Sequence, residues 1–252
     1  MLYMSEPTVV VRNWRDPDPH VGHESAIIWS IFRQRNAENS APQNCLEHLT
    51  GLVKHALQGG QNSNLHQHDQ VEQFYYVLKG SGEALIGEER FPVRAGSAAY
   101  LPPGVPHQFF AAPEEGWVEH LVVSCPVQRE GSSSARVVNW REVLSETGAH
   151  GAAVGWPLLE AVDEPEPVTG QPCLLGFYYL TRQGLVRGKA ADLHTHDDKE
   201  QVYYITEGWG TMIAGDEIYR IGEGDVVYLP RDVPHQILNE DCDGWLSYLI
   251  IS

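Results

Sequence analysis

Apolar residues along this chain come in short runs, many alternating with polar ones and most closed by glycine or proline. The runs "EQFYYVLKG", "GEALIG", "SAAYLPPG", "HQFFAA" and "WVEHLVVSC" lie between Glu72 and Cys125. Their length, their β-branched and aromatic content and the regular turn signals between them predict strands arranged as a sandwich or barrel. Helical periodicity is scarce. The one good candidate is "NWREVLSETG", where Asn139 is placed to cap a short helix that ends by Gly148. The fold class predicted is all-β.

The pattern occurs twice. "LHQHDQVEQFYYVLKG" from Leu65 returns as "LHTHDDKEQVYYITEG" from Leu193, and the span Cys45 to Ser124 matches Cys173 to Ser252 at a constant offset of 128 residues without a gap. Between His66 and Gln108, 19 of 43 positions are identical to their counterparts. Apart from the histidines and a few polar residues these are mostly turn formers and large apolar side chains, the types that fix a backbone and its core. "VVVRNW" at Val9 and "ARVVNW" at Ala135 also correspond, but at an offset of 126. The polar, serine-rich stretch from Pro126 reads as a linker, so the domains are predicted as residues 1–130 and 131–252.

Composition narrows the partners. Thirty-four acidic residues against 17 basic ones give a net charge of -17 over 252 residues, which repels a phosphate backbone and argues against nucleic acid. No apolar run is long enough for a membrane span, and "MLYMSEPTVV" lacks the basic and apolar regions of an export signal. A cytoplasmic protein with no membrane partner is the expectation. Cys45, Cys125, Cys173 and Cys242 form no CxxC pair and are read as reduced thiols.

Two histidines two apart in an extended chain point the same way, so His66 with His68, and His194 with His196, are each placed to grip one metal ion. A third, His107 or His235, follows in "YLPPGVPHQ" or "YLPRDVPHQ". An oxygen ligand completes such a set and leaves positions open for substrate or water. Six of the 12 histidines occupy these matched positions. His20, His23, His48, His55, His120 and His150 lack a histidine counterpart at the common offset and are read as structural; because His48, His55 and His120 fall in the first repeat, diverged sites would leave the first pocket richer in histidine.

At these residues the chain resembles the cupin superfamily in its two-domain, bicupin form. The glycine–HxH–glycine motif is matched by Gly60, His66, His68 and Gly80 and by Gly188, His194, His196 and Gly208. The glycine–Pro-x-Gly–His motif is matched by Gly96, Pro102, Gly104 and His107 and by Gly224, Pro230 and His235, with Asp232 in place of the second glycine. The resemblance implies two tandem jelly-roll, or double-stranded β-helix, barrels and one divalent transition metal (Fe, Mn, Ni or Zn) per domain. Counting along the family motif lands on Gln73 and Gln201, with Glu72 and Glu200 one residue earlier; since neighbouring strand residues face opposite sides, the glutamines are favoured as the inward ligands.

An uncharged amide leaves the ion its full +2 among neutral ligands, which raises its pull on an anionic or enediol-like substrate. The resemblance implies isomerase, lyase or iron-dependent dioxygenase chemistry on a small polar or carboxylated molecule; the alternative is a non-catalytic ligand-binding or sensing protein. Tyr75 and Tyr203 share strand parity with the glutamines and are candidate pocket residues. Tyr76 and Tyr204 should face outward, towards the other barrel. Lys54 and Arg182 are matched basic positions, read as solvated, with a substrate carboxylate as the competing use. A homodimer is implied by analogy with cupins that pair through their sheets.

Overall fold

The computed structural model describes residues 8–36, 38–39, 41–148, 150–163, 170–240 and 243–252. Cys242 and the first seven residues of the stretch read for an export signal lie outside them.

Each half is a sandwich of one large and one small sheet. In the first half the large sheet runs Arg136–Asn139, Ser97–Leu101, Val71–Lys79, Trp117–Pro126, Gly51–Gln58, Ala26–Gln34 and His20–Gly22, and the small one His107–Ala111, Ser81–Ile86 and Glu89–Arg94. In the second half the corresponding order is Val10–Asn13, Asp225–Leu229, Gln201–Glu207, Leu246–Ile251, Tyr179–Leu185, Gly151–Ala161 and Glu146–Gly148, facing Lys189–Ala190, His235–Asn239, Trp209–Ala214 and Glu217–Gly222. Strands are the dominant regular element of the described chain. The segment after Asn139 makes only one 3-10 turn, Trp140–Glu142, with the Asn139 side chain accepting from the Arg141 amide, and then continues as the strand Glu146–Gly148. Three residues is all the helix the capping signal produces, because the following chain pairs with Gly151–Ala161 instead.

Two strands cross the boundary placed near residue 130. Val10–Asn13 pairs with Asp225–Leu229 of the second half, and Arg136–Asn139 pairs with Ser97–Leu101 of the first. The exchange explains two glycines of the repeat. A Cβ at Gly96 would lie 2.5 Å from the Trp140 ring, and one at Gly224 2.6 Å from that of Trp14, so each incoming strand lays its tryptophan on a residue that has no side chain.

Strand alternation sorts the core. Along Val71–Lys79, Tyr75 and Val77 enter the interior of the first sandwich, while Phe74 and Tyr76 join a cluster shared by both halves that includes Tyr100, Leu121, Phe177, Tyr204, Tyr228 and Leu249. The large sheets are therefore covered on both faces, and the strand reads as nearly continuous apolar sequence for that reason. Glu72, on the outward parity, is fully buried in this interface. Its carboxylate accepts the backbone N–H groups of Leu175, Gly176 and Phe177 at 2.6–2.8 Å and the Tyr100 hydroxyl at 2.6 Å. Glu200 does the same in reverse, accepting from Glu47, His48 and Leu49 at 2.7–2.9 Å. Each glutamate thus clamps the other half's chain.

Candidate metal centres

The HxH segments are not strands. They are short links held by a single antiparallel bridge, His66 to His107 and His194 to His235, so the third histidine is brought to the first by backbone hydrogen bonds at 2.8–3.2 Å. The proline-rich turn before the third histidine is tied to the second: the amides of Gly104 and Asp232 each donate to the carbonyl of His68 or His196 at 2.8 Å. Both turn residues have positive φ, 71° and 64°. An aspartate tolerates that conformation where most side chains do not, which is why Asp232 stands in for glycine without altering the turn.

In the first half one ring nitrogen from each of His66, His68 and His107 lies within 4.8 Å of the others, the order of separation expected of nitrogens sharing one ion at about 2.1 Å each. In the second half the corresponding group is His194 and His196 with His150, and the His235 ring lies 4.3 Å from that of His194. The Nδ1 atoms of His66, His107, His194 and His235 each lie 2.9–3.0 Å from a carbonyl two residues upstream. That contact places the proton on Nδ1 and leaves Nε2 with a free lone pair, the arrangement metal-bound imidazoles require. The Nε2 atoms of His68, His107, His194, His196 and His235 are buried without a hydrogen-bond partner, and so is Oε1 of Gln201. Burial holds His107, His196 and His235 down to about 4, so the rings are neutral and available as ligands at neutral pH. The residues fit a divalent ion.

Gln73 and Gln201 both point inward. The Gln73 amide nitrogen donates to Ser124 at 2.9 Å and the Gln201 amide nitrogen to the Tyr179 hydroxyl, turning each carbonyl oxygen away from that partner. Tyr75 and Tyr203 lie inside their sandwiches, edge-on to His107 and His235. Lys54 and Arg182 are neither solvated nor near the histidines: they are 2% and 8% exposed and face the space between the halves.

Four histidines read as structural belong to the sites. His23 and His150 sit at the tips of the hairpins joining His20–Gly22 to Ala26–Gln34 and Glu146–Gly148 to Gly151–Ala161. His23 stacks on His66 at 4.8 Å and His150 on His194 at 4.9 Å. Behind His23 the row continues through His55 (5.5 Å) to His120 (5.3 Å). Behind His150 it is Gln183 (2.6 Å) and then Tyr248 (3.1 Å). His48 does lie elsewhere, with Nε2 3.0 Å from the Gly176 carbonyl at the interface. A sequence signal for the hairpin pair existed: His23 with His150, and Trp29 with Trp156, are each 127 apart, between the two offsets at which the repeat aligns.

A cavity of about 210 Å³ opens beside the first centre, lined by His23, His55, His66, His68, Gln73 and Tyr75 among others. A larger hollow of about 950 Å³ flanks the small sheet of the first half and contains no histidine.

Residues 53–124 and 182–249, together more than half of the chain, match the cupin domain. The chain belongs to the cupin family and has two cupin domains. A segment of 52 residues, 21% of the chain, is 40% identical to the uncharacterized protein MJ1618 of Methanocaldococcus jannaschii and spans 42% of that protein's length. The fold is similar to that of a Pseudomonas aeruginosa protein described as glyoxylate-induced (TM-score 0.76, 15% identity, 99% of this chain and 89% of that one). It is also similar to the oxalate decarboxylase of Lactobacillus farciminis in its formate complex (0.72, 15%, 96% and 85%). A third similar structure is the oxalate decarboxylase of Bacillus subtilis, studied for its Mn(II) centres (0.68, 17%, 96% and 76%). No helix among the described residues is long and apolar enough to cross a membrane.

Proposed function

We propose that this bicupin is a metal-dependent enzyme whose first centre carries out lyase or isomerase chemistry on a small carboxylated molecule, while the second centre holds its ion for the integrity of the fold. The observation that carries the reading is the cavity beside the first histidine set, with both His55 and His120 on its wall. A divalent ion there, with manganese first and iron, nickel or zinc as the other candidates, supplies a Lewis acid for a carboxylate or carbonyl oxygen. Oxalate decarboxylases among the fold neighbours support a small carboxylate as the substrate class.

The residues of the chain account for the rest. His66, His68, His107 and Gln73 are neutral ligands, so an anionic substrate meets an undiminished positive charge. His55 and His120 are kept neutral by burial, with His120 held down to about 3. His55 on the cavity wall is the group placed to accept a substrate proton. Burial raises the Tyr75 hydroxyl above its ordinary range, so it serves as a donor and not as a base. In the second half the phenol of Tyr179 occupies Gln201, at the position that is Gly51 in the first, and an amide, Gln183, stands where His55 does.

The test is metal analysis of the purified protein followed by assay of small oxo-, hydroxy- and dicarboxylic acids with oxygen uptake recorded in parallel. Conversion without net oxygen consumption supports lyase or isomerase chemistry. Consumption of one O₂ per turnover replaces it with the dioxygenase reading. Tight binding of an acid with no conversion replaces both with the non-catalytic one.

A further inference from the structure

Away from both centres, a cleft of about 740 Å³ lies between the two halves and is lined by both. We propose that it is a binding site for a small oxyanion carrying two negative charges, a phosphate or a dicarboxylate.

The argument starts from charge. In a chain of net charge -17, the cleft gathers Arg15, Lys54, Lys79, Arg141 and Arg182 against three carboxylates, Glu119, Glu207 and Glu223. Four of the five cations pack on tryptophan rings. Trp14 carries the Arg15 guanidinium 4.3 Å and the Lys54 ammonium 3.1 Å from its ring centre, and Trp140 carries Arg141 at 4.5 Å and Arg182 at 4.2 Å. Both tryptophans, Arg15 and Arg141 come from the exchanged segments that follow Asn13 and Asn139, so the strand exchange supplies this part of the cleft.

Neutralisation inside it is incomplete. Lys54 has a close partner in Glu119 at 2.6 Å, but Arg182 reaches Glu207 only at 3.7 Å and its Nε is buried without a partner. The hydroxyls of Tyr76 and Tyr204, side chains 3% exposed that line the same cleft, make no hydrogen bond among the described residues. A buried donor without an acceptor is costly, on the order of 1–3 kcal/mol, and Arg182 Nε is one on the wall of this cleft. With cations packed against the tryptophan rings, the directions left to a ligand are N–H and O–H edges. That selects an oxyanion over a planar aromatic molecule.

The experiment is a titration of tryptophan fluorescence, since Trp14, Trp140, Trp156 and Trp245 line the cleft. The purified metal-bound protein is titrated with inorganic phosphate and with malonate, with sodium chloride holding ionic strength constant. A saturable change with at least one of them is expected. It should weaken about tenfold in Arg15→Met and in Arg141→Met, the effect of one lost charge-assisted contact, and weaken less in Tyr76→Phe, a variant that leaves packing intact. Chelating the metal should leave the affinity unchanged, which separates the cleft from the two centres. A tenfold preference for phosphate over malonate, or the reverse, assigns the source. No saturable change with either anion, full binding in the Arg15→Met/Arg141→Met double variant, or binding lost with the metal would overturn the proposal.

Discussion

The two candidate centres share the residues that could hold an ion and differ in what stands behind them. Both offer three imidazoles and a glutamine, both place a hairpin histidine against the first of the HxH pair, and both fix the protons of two imidazoles with carbonyls two residues upstream. Behind the hairpin, one has His55 and His120 around a cavity, and the other has Gln183 and Tyr248, with Tyr179 bonded to its glutamine. An imidazole has a ring nitrogen that can take up and return a proton, whereas an amide has none. The repeat keeps the geometry that fits a metal ion. Substitution one layer out decides which site is equipped to move protons.

The largest expected effect therefore separates the halves. His66→Ala should reduce turnover to background while His194→Ala retains most of it, although each variant loses about one metal equivalent of the two. Equal losses of turnover would mean that both centres react. Next comes the exchange of the outer layer: His55→Gln with His120→Tyr gives the first half the second half's residues. It should lower turnover by about a hundredfold, the typical value of a general base, with metal content unchanged.

A third comparison concerns neighbours on one strand. Glu72→Ala strands three backbone N–H groups in the interface and should cost about 3–5 kcal/mol, read as a lower melting temperature, with both metals retained. Gln73→Ala should do the opposite, losing metal from the first centre with a smaller loss of stability. Loss of metal in Glu72→Ala alone would assign the ligand to the glutamate.

The last comparison is in pH dependence. Burial holds His120 down to about 3 and His107 and His235 to about 4, below the ordinary value near 6.5 that they take when unfolded. The unfolded chain then binds more protons, so stability is intact above pH 6.5 and falls as pH drops from 6.5 towards 4. Each such group contributes up to about 1.4 kcal/mol per pH unit. Chemical denaturation of metal-free protein across that range should show the decline, and His120→Tyr should make it shallower.

How much of this was legible in the sequence depended on how local the cause was. The repeat, its strands and the six matched histidines follow from spacing and turn chemistry, which act over a few residues. The helix after Asn139 failed because its cap is local but its continuation competes with pairing to a strand ten residues on. Lys54 and Arg182 were misread because a polar residue on a strand implies solvent only when nothing covers that face, and here the other half does. His23 and His150 were missed because the hairpins that carry them fall where the repeat changes length.

By itself the sequence determined that there are two all-β halves of one design and which histidines recur in both. Tertiary structure alone decided that Glu72 and Glu200 clamp the opposite half, that the first strand of each half belongs to the other's sheet, and that only one centre has histidines behind it. The physical reason is range. A strand's alternation says which side chains share a face, but what lies against that face is set by chain more than a hundred residues away.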